Sequence, residues 1–385
     1  LGTGRRKTFV LQQRLPLNDG GKSFMKRRLM SFVLAITTLC VAFLTSCGNS
    51  GSNSSASGSA APSGSAASTP AASGSGKKIT IGYDIYYVGN TWSVQLYKEF
   101  QSAVKRYQNQ IANVIYVESE GKVDKQIANI EDLITRKVDV IITTPNSSTA
   151  LVPVLKKAQQ AGIKVVLLGA TIQGSGYDSL VTVKDYDFGK TGAEWLAKKL
   201  NGKGKIVMLN GIAGISASED RTKGAMDVLK QYPNIKVVAS SNADWDYAKA
   251  KVAMGDILTA QPQIDGVWSQ GGAMTLGAIE AFQAAGRKLV PMTGEDNNGF
   301  LKKWNELKSQ GFSSVACSKP TWLSEEALKA AIKLGNGQSV TKDDYVSVPV
   351  ITDSTLSQYV KPNMSDSFYA NTKMSEAEIK AAFSN

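Results

Sequence analysis

Beyond Lys77 the chain alternates short apolar runs with longer stretches whose apolar positions recur at helical spacing. The first run, Ile79 to Tyr83, predicts a strand. The next segment, Trp92 to Tyr107, carries Trp92, Leu96, Phe100, Val104 and Tyr107 on one face, which predicts an amphipathic helix. A strand at Val114 to Val117 follows, then a helix marked by Val123, Ile127, Ile130 and Ile134. After these come a strand at Val138 to Ile142, a helix near Ser148 to Ala161 and a strand at Ile163 to Leu168. The strand runs lack polar alternation, so they are expected to be buried on both faces, as in parallel sheets covered by helices.

The same rhythm restarts after Asp185, with strands near Ile206 to Leu209, Ile235 to Ala239, Gly266 to Ser269 and Leu289 to Thr293. Helices are expected near Gly189 to Leu200, Ser218 to Gln231, Tyr247 to Ala260 and Ala273 to Ala285. The expected fold is therefore α/β: two doubly wound, Rossmann-like lobes with parallel sheets. Ligands of such sheets bind beyond the carboxyl ends of the strands, so two facing rims would form a cleft.

The N-terminal part follows no such pattern. Met25-Lys26-Arg27-Arg28 and the apolar run Leu29 to Leu44 form the basic head and apolar centre of a secretory signal, expected over residues 25–46. The run falls short of the roughly 20 residues a membrane-spanning helix needs. Leu44-Thr45-Ser46-Cys47 resembles a bacterial lipobox, which implies a lipid on Cys47 and an exported protein anchored to the outer face of the cell membrane. Residues 1–24 fit neither a signal nor a fold and read as an upstream extension ahead of a start at Met25. Residues 47–77 read as the lipidated cysteine and a Gly/Ser/Ala tether. Its 29 residues from Gly48 to Gly76 cannot bury a core and would behave as flexible coil with a reach of about 30 Å.

Charge looks different once this segment is set aside. The whole chain has 44 basic and 32 acidic residues, of which 8 basic and one acidic lie in residues 1–46, leaving 36 against 31, or +5. No basic run remains to suggest nucleic acid. The chain has no histidine, which removes histidine bases, histidine-paired nucleophiles and histidine metal sites together. Of the cysteines, Cys40 would leave with the signal and Cys47 would carry lipid, so Cys317 has no disulfide partner. As a nucleophile Cys317 would lack a histidine, and a lone cysteine after a strand reads as a small buried hydrophobe. No catalytic residue, metal or cofactor is assigned, and the chain is not expected to be an enzyme.

Several short landmarks occur in a recognisable order: Gly89-Asn90-Thr91-Trp92, Thr144-Pro145-Asn146, Val183-Lys184-Asp185, Gly214-Ile215-Ser216-Ala217 running to Arg221 and Gly224, Ala243-Asp244-Trp245-Asp246, Met274-Thr275-Leu276-Gly277-Ala278 and Gly294-Glu295-Asp296. In this order the sequence resembles the periplasmic sugar-binding proteins of the ribose-binding type, the receptors of ABC importers, from about Lys78 to Lys361. The resemblance implies a type I periplasmic-binding-protein fold with a three-crossing hinge. One lobe would comprise residues 78–184 plus 319–346, the other 187–317 plus 347–361. Residues 362–385 would form an added extension with a short helix, opened by the capping box Ser375-Glu376-Ala377-Glu378.

The resemblance also implies a ligand-binding set: Asn90, Trp92, Thr144, Asp185, Glu219, Trp245, Gln270, Gly271 and Asp296. Trp92 and Trp245 would stack on the apolar faces of a sugar, although Trp92 also fits the apolar stripe of its own helix. Asn90 and Asp296 could equally cap the helices that follow them, and Asp185 falls at a lobe crossing, where a hinge contact fits as well. Trp195 and Trp304 read as core.

The chain departs from ribose binders where they carry an arginine, here Glu219; an Asp-Arg pair, here Gly169-Ala170; and Asn-Asp, here Gly271-Gly272. These changes imply a site that accepts rather than donates hydrogen bonds and has extra room at the glycines. The ligand would then be a polyol, a different or larger sugar, or an amine-bearing molecule rather than ribose. The expected function is cleft closure on such a ligand and delivery to ABC transporter membrane subunits by a monomer. The alternative is a sensor reporting a sugar or furanose-type signal to a membrane receptor.

Overall fold

The computed structural model describes residues 77–383. The signal segment, Cys47 and most of the tether lie outside the described residues. Among the described residues, no helix is long and apolar enough to cross a membrane.

Lobe one opens with β1 (Ile79–Ile85), α1 (Thr91–Arg106), β2 (Ile111–Glu118), α2 (Val123–Thr135), β3 (Val140–Thr143), α3 (Val152–Gln160), β4 (Lys164–Leu168) and β5 (Ser179–Thr182). Lobe two follows with α4 (Asp185–Lys199), β6 (Lys203–Asn210), α5 (Ser216–Leu229), β7 (Asn234–Asn242), α6 (Tyr247–Ala260), β8 (Gly266–Ser269), α7 (Gly272–Ala284), β9 (Met292–Glu295), α8 (Asn298–Leu307) and β10 (Ser314–Cys317). The chain then returns through α9 (Leu323–Gly335), β11 (Asp343–Tyr345), β12 (Val350–Ile351), α10 (Leu356–Tyr359) and α11 (Glu376–Phe383).

Each lobe has a six-stranded sheet, with strand order β11-β5-β4-β3-β1-β2 in lobe one and β12-β10-β9-β8-β6-β7 in lobe two. All pairings are parallel except β10 with β12. The order reverses beside β1 and beside β6, the switch points where a doubly wound sheet opens a crevice. Central strands are buried on both faces, β3 and β9 throughout. The same burial was expected of Val114 to Val117, but these belong to β2, an edge strand with half of its side chains at the surface. An edge strand is covered by fewer helices, which the apolar run alone does not reveal.

The chain passes between the sheets at 183–185, 318–322 and 346–349. The rims touch across the cleft: Ser148 N donates to Gly214 O at 3.2 Å, and Thr171 N donates to Ser216 Oγ at 2.8 Å. Apolar contact accompanies these bonds, because Ile215 and Ala217 of lobe two pack with Trp92 and Tyr86 of lobe one. The cleft is closed.

Within lobe two, α4 and α5 approach so closely that glycine is required where they cross. A Cβ at Gly189 would lie 1.9 Å from Arg221 O, and one at Gly224 would lie 2.1 Å from Tyr186 O. Both obstacles are backbone, so neither can move aside cheaply. Gly224→Ala should therefore lower the free energy of unfolding by about 1–3 kcal/mol in urea titrations. Gly255→Ala, in α6 with nothing within 4 Å of the added Cβ, should instead raise it by about 0.5–1 kcal/mol. Equal effects at the two sites would contradict this packing.

Candidate functional site

The touching rims enclose a small cavity of about 30 Å³ lined by Tyr86, Asn90, Trp92, Thr144, Gly169, Ala170, Ile215, Ala217, Arg221, Trp245, Glu295 and Lys319. Small-molecule pockets run roughly 300–1,000 Å³, so the closed rims leave only a narrow space between these walls. Its walls come from both lobes and from the second crossing.

Asn90 takes the capping role and also lines the cavity. Its Oδ1 caps α1, accepting from Ser93 N at 2.9 Å, while its Nδ2 is buried without a partner. Trp92 lines the cavity from the first turn of α1, and its indole is fixed by Nε1 donating to Lys319 O at 2.7 Å. Trp245 faces it from lobe two. Asp244 and Trp245 both have φ of 55°, a left-handed conformation unfavourable for bulky side chains, and such strain clusters at functional sites. The ring lies in a slot made by glycine backbone: a Cβ at Gly211 would sit 2.2 Å from its Cε2, and one at Gly271 would sit 2.9 Å from its Cδ1. Trp245 Nε1 is likewise buried without a partner. Thr144 also lines the cavity.

The remaining predicted residues lie outside the lining. Asp185 is consumed at the hinge, where Oδ1 accepts from Arg221 Nε at 2.8 Å and Oδ2 accepts from Lys319 Nζ at 2.6 Å. Gln270 is fully buried, and its side chain accepts from Gly211 N and donates to Ser218 O and Thr222 Oγ1. Glu219 is exposed in the first turn of α5, so it does not replace the arginine charge inside the cleft. Gly271 and Gly272 give no extra room, since a Cβ at Gly272 would lie 2.3 Å from Glu295 O. They let α7 start against β9 and beneath Trp245. Asp296 is turned to the C-terminal extension, where Oδ2 accepts from Asn371 N at 3.0 Å.

Its neighbour Glu295 takes the cleft position instead, one residue earlier at the end of β9. Arg221, Lys319 and Tyr86 complete a polar floor; none of the three is in the predicted ligand-binding set, although Arg221 stands among the sequence landmarks. Arg221 is almost fully buried; it stacks its guanidinium over Phe188 at 3.6 Å, donates to Gln270 O at 2.6 Å and approaches Glu295 Oε1 at 3.4 Å. Lys319 reaches Gly169 O at 2.5 Å, so an ammonium stands at the very loop where the resemblance lacks an arginine. The site thus keeps cationic donors, contrary to the expectation of an acceptor-only cleft. A lone lysine two residues past the apolar run Val315-Ala316-Cys317 was the available signal.

Burial pushes the Glu295 carboxyl up to about 8, against the opposing pull of Arg221. Burial likewise raises Asp296 to about 6, while it lowers Lys319 despite Asp185. Among the described residues no group of three or more carboxylate, cysteine or histidine side chains could hold a metal ion.

Two parallel-sheet lobes that close over a polar, aromatic-walled cavity define a solute-binding receptor, a protein that works by capture. The family of the periplasmic binding protein domain matches residues 81–339, and the chain belongs to it. It is 27% identical over 281 residues to the ribose import binding protein of Bacillus subtilis, covering 73% of this chain and 89% of that protein. It is 32% identical over 244 residues to a xylitol-binding protein of Mycolicibacterium smegmatis, covering 63% of this chain and 69% of that one. An ABC transporter solute binding protein from Actinobacillus succinogenes, solved with bound D-allose, superposes with a TM-score of 0.62 at 28% identity, over 73% of this chain and 100% of that one. The family is one of binding proteins rather than enzymes.

The raised Glu295 carboxyl has a measurable consequence. Its folded pKa lies above the ordinary carboxyl value, so the folded state holds the proton longer and stability falls as pH rises through the window ending near 8. Asp296 acts in the same direction, but its window ends near 6. Between about pH 6 and about pH 8, urea midpoints of the ligand-free protein should fall less steeply in Glu295→Gln than in the parent. Identical slopes would show that Glu295 does not titrate there.

Proposed function

We propose that this protein captures a compact, neutral, polyhydroxylated ligand, a monosaccharide or polyol, between its lobes and presents it in the closed state to an ABC importer. The observation that carries the reading is the pair of buried, unpartnered donors on the cavity residues, Asn90 Nδ2 from lobe one and Trp245 Nε1 from lobe two. A buried donor without a partner costs roughly 1–3 kcal/mol. A ligand that accepts from both would remove that cost only in the closed state, which is how a ligand drives closure.

Two aromatic rings, Trp92 and Trp245, suit the apolar faces of a sugar or polyol. Arg221 and Lys319 disfavour a cationic ligand, so the amine-bearing candidates are dropped, and the compact cavity disfavours an oligosaccharide. The likeness to ribose- and xylitol-binding proteins supports the same ligand class.

Titration calorimetry against pentoses, hexoses, pentitols, inositols and amino sugars tests this. A neutral member should bind tightest. Trp245→Ala should weaken it at least about tenfold, from lost stacking of about 0.5–1.5 kcal/mol and one hydrogen bond of about 1 kcal/mol. Glu219→Ala should leave affinity unchanged. An amino sugar as the tightest ligand, or a large loss in Glu219→Ala, would overturn the reading.

The same reading includes an exported protein, held on the outer face of the membrane by a lipid on Cys47 and given reach by the tether that follows. The signal, the lipobox-like tetrapeptide and the tether composition support it. In detergent phase partition of the expressing cells, the parent should follow the detergent phase and Cys47→Ala the aqueous phase; equal partition would contradict the anchor.

A further inference from the structure

A two-lobed receptor needs its hinge crossings and nothing more, yet this chain crosses again after β12. Lys361, Met364 and Ser365 carbonyls accept from Asn298 Nδ2 at the start of α8, and Phe368 O accepts from Asn298 N at 2.7 Å, so this stretch belongs to lobe two. Thr372 Oγ1 and Lys373 N donate to Glu99 Oε1 in α1 at 3.0 and 2.9 Å, and Lys98 Nζ donates to Ala382 O at 2.7 Å. Glu378 pairs with Arg106, while Ser375 and Glu378 cap α11 reciprocally as the sequence predicts. From residue 372 onward the segment belongs to lobe one.

Tyr369, Ala370 and Asn371 belong to both. From lobe one, Gln95 grips the Tyr369 backbone with both ends of its amide: Oε1 accepts from Tyr369 N at 2.8 Å, and Nε2 donates to Tyr369 O at 3.0 Å. From lobe two, Asp296 O accepts from Ala370 N at 3.0 Å and Asp296 Oδ2 from Asn371 N at 3.0 Å. Gln95 and Asp296 are fully buried, and Tyr369 is 1% exposed within the apolar cluster that holds Tyr86 and Trp92. Neither grip is a surface contact that water could replace in place.

We propose that the C-terminal segment is an interlobe latch: the lobes separate only when the stretch 369–371 leaves either the Gln95 grip or the Asp296 grip. Docking of the latch and closure of the cleft are then two views of one equilibrium, and whatever favours one favours the other by the same factor. The latch exists whichever small molecule the cleft takes, so it stands apart from the ligand assignment above. It also gives Asp296 a role: that carboxyl holds the latch while Glu295 faces the ligand.

Hydrogen exchange on the full chain without ligand reads both motions. The Ser148 and Thr171 amides, bonded across the rims, report lobe separation; the Tyr369 and Asn371 amides report the latch; Ile141 and Ile142 in β3 report global unfolding. In Gln95→Met the rim amides and the latch amides should both exchange at least about tenfold faster, with β3 unchanged. Faster latch exchange with rim amides at the parental rate would show a passive tail and overturn the proposal. Should Gln95→Met also speed β3, Asn371→Ala, which removes only the bonds to Ser318 Oγ and Trp322 Nε1, is held to the same two outcomes.

Discussion

The buried ion pair between Arg221 and Asp185 is the interaction on which the site depends. Both side chains are almost entirely out of water, and they meet at 2.8 Å with Lys319 on the other carboxylate oxygen at 2.6 Å. Asp185 begins lobe two at the first crossing, Arg221 sits inside α5, and Lys319 lies on the second crossing. One carboxylate therefore ties two crossings to the helix beneath the cleft. Removing one partner of such a group strands a buried charge at about 3–5 kcal/mol, so the arrangement is held as a unit.

That unit also sets the chemistry of the cavity. With Asp185 occupied by both cations, Arg221 still reaches Gln270 O and Glu295, and Lys319 still reaches Gly169 O. The cations are oriented rather than loose, and they present donors to whatever lies between the tryptophans. Glu295 completes the floor with a carboxyl that burial keeps protonated up to about pH 8, so it offers a carbonyl oxygen as acceptor and a hydroxyl as donor. A floor of fixed donors and one acceptor, walled by aromatic rings, suits a molecule that offers hydroxyls along a short carbon frame.

Much of the fold was legible because a buried parallel sheet writes itself as bounded apolar runs. Tyr247 to Ala260 and Gly266 to Ser269 were read with the bounds the structure has. β5 left no such mark, being four residues long with Ser179 and Thr182 at its ends. Asn90, Trp92, Thr144 and Trp245, residues whose types suit sugar contact and whose places follow strand ends, all line the cavity. One residue of parity separates expectation from placement: Glu295 lines the cavity, whereas Asp296 faces the C-terminal segment. Glycines 271 and 272 looked like room but serve contact with Trp245 and β9, which depends on tertiary neighbours no local pattern encodes. The fourth crossing was invisible for a related reason. It is made by backbone groups gripped by Gln95 and Asp296, and backbone carries no sequence signature.

The central claim is that a neutral polyhydroxylated ligand binds in this cleft by completing donors that the closed lobes leave unpaired. A crystal structure of the protein with its tightest calorimetric ligand tests it most directly. The account predicts ligand oxygens within hydrogen-bond distance of Asn90 Nδ2, Trp245 Nε1 and Glu295, between the rings of Trp92 and Trp245. A ligand bound elsewhere, or one that leaves both donors unpaired in a closed cleft, would contradict it.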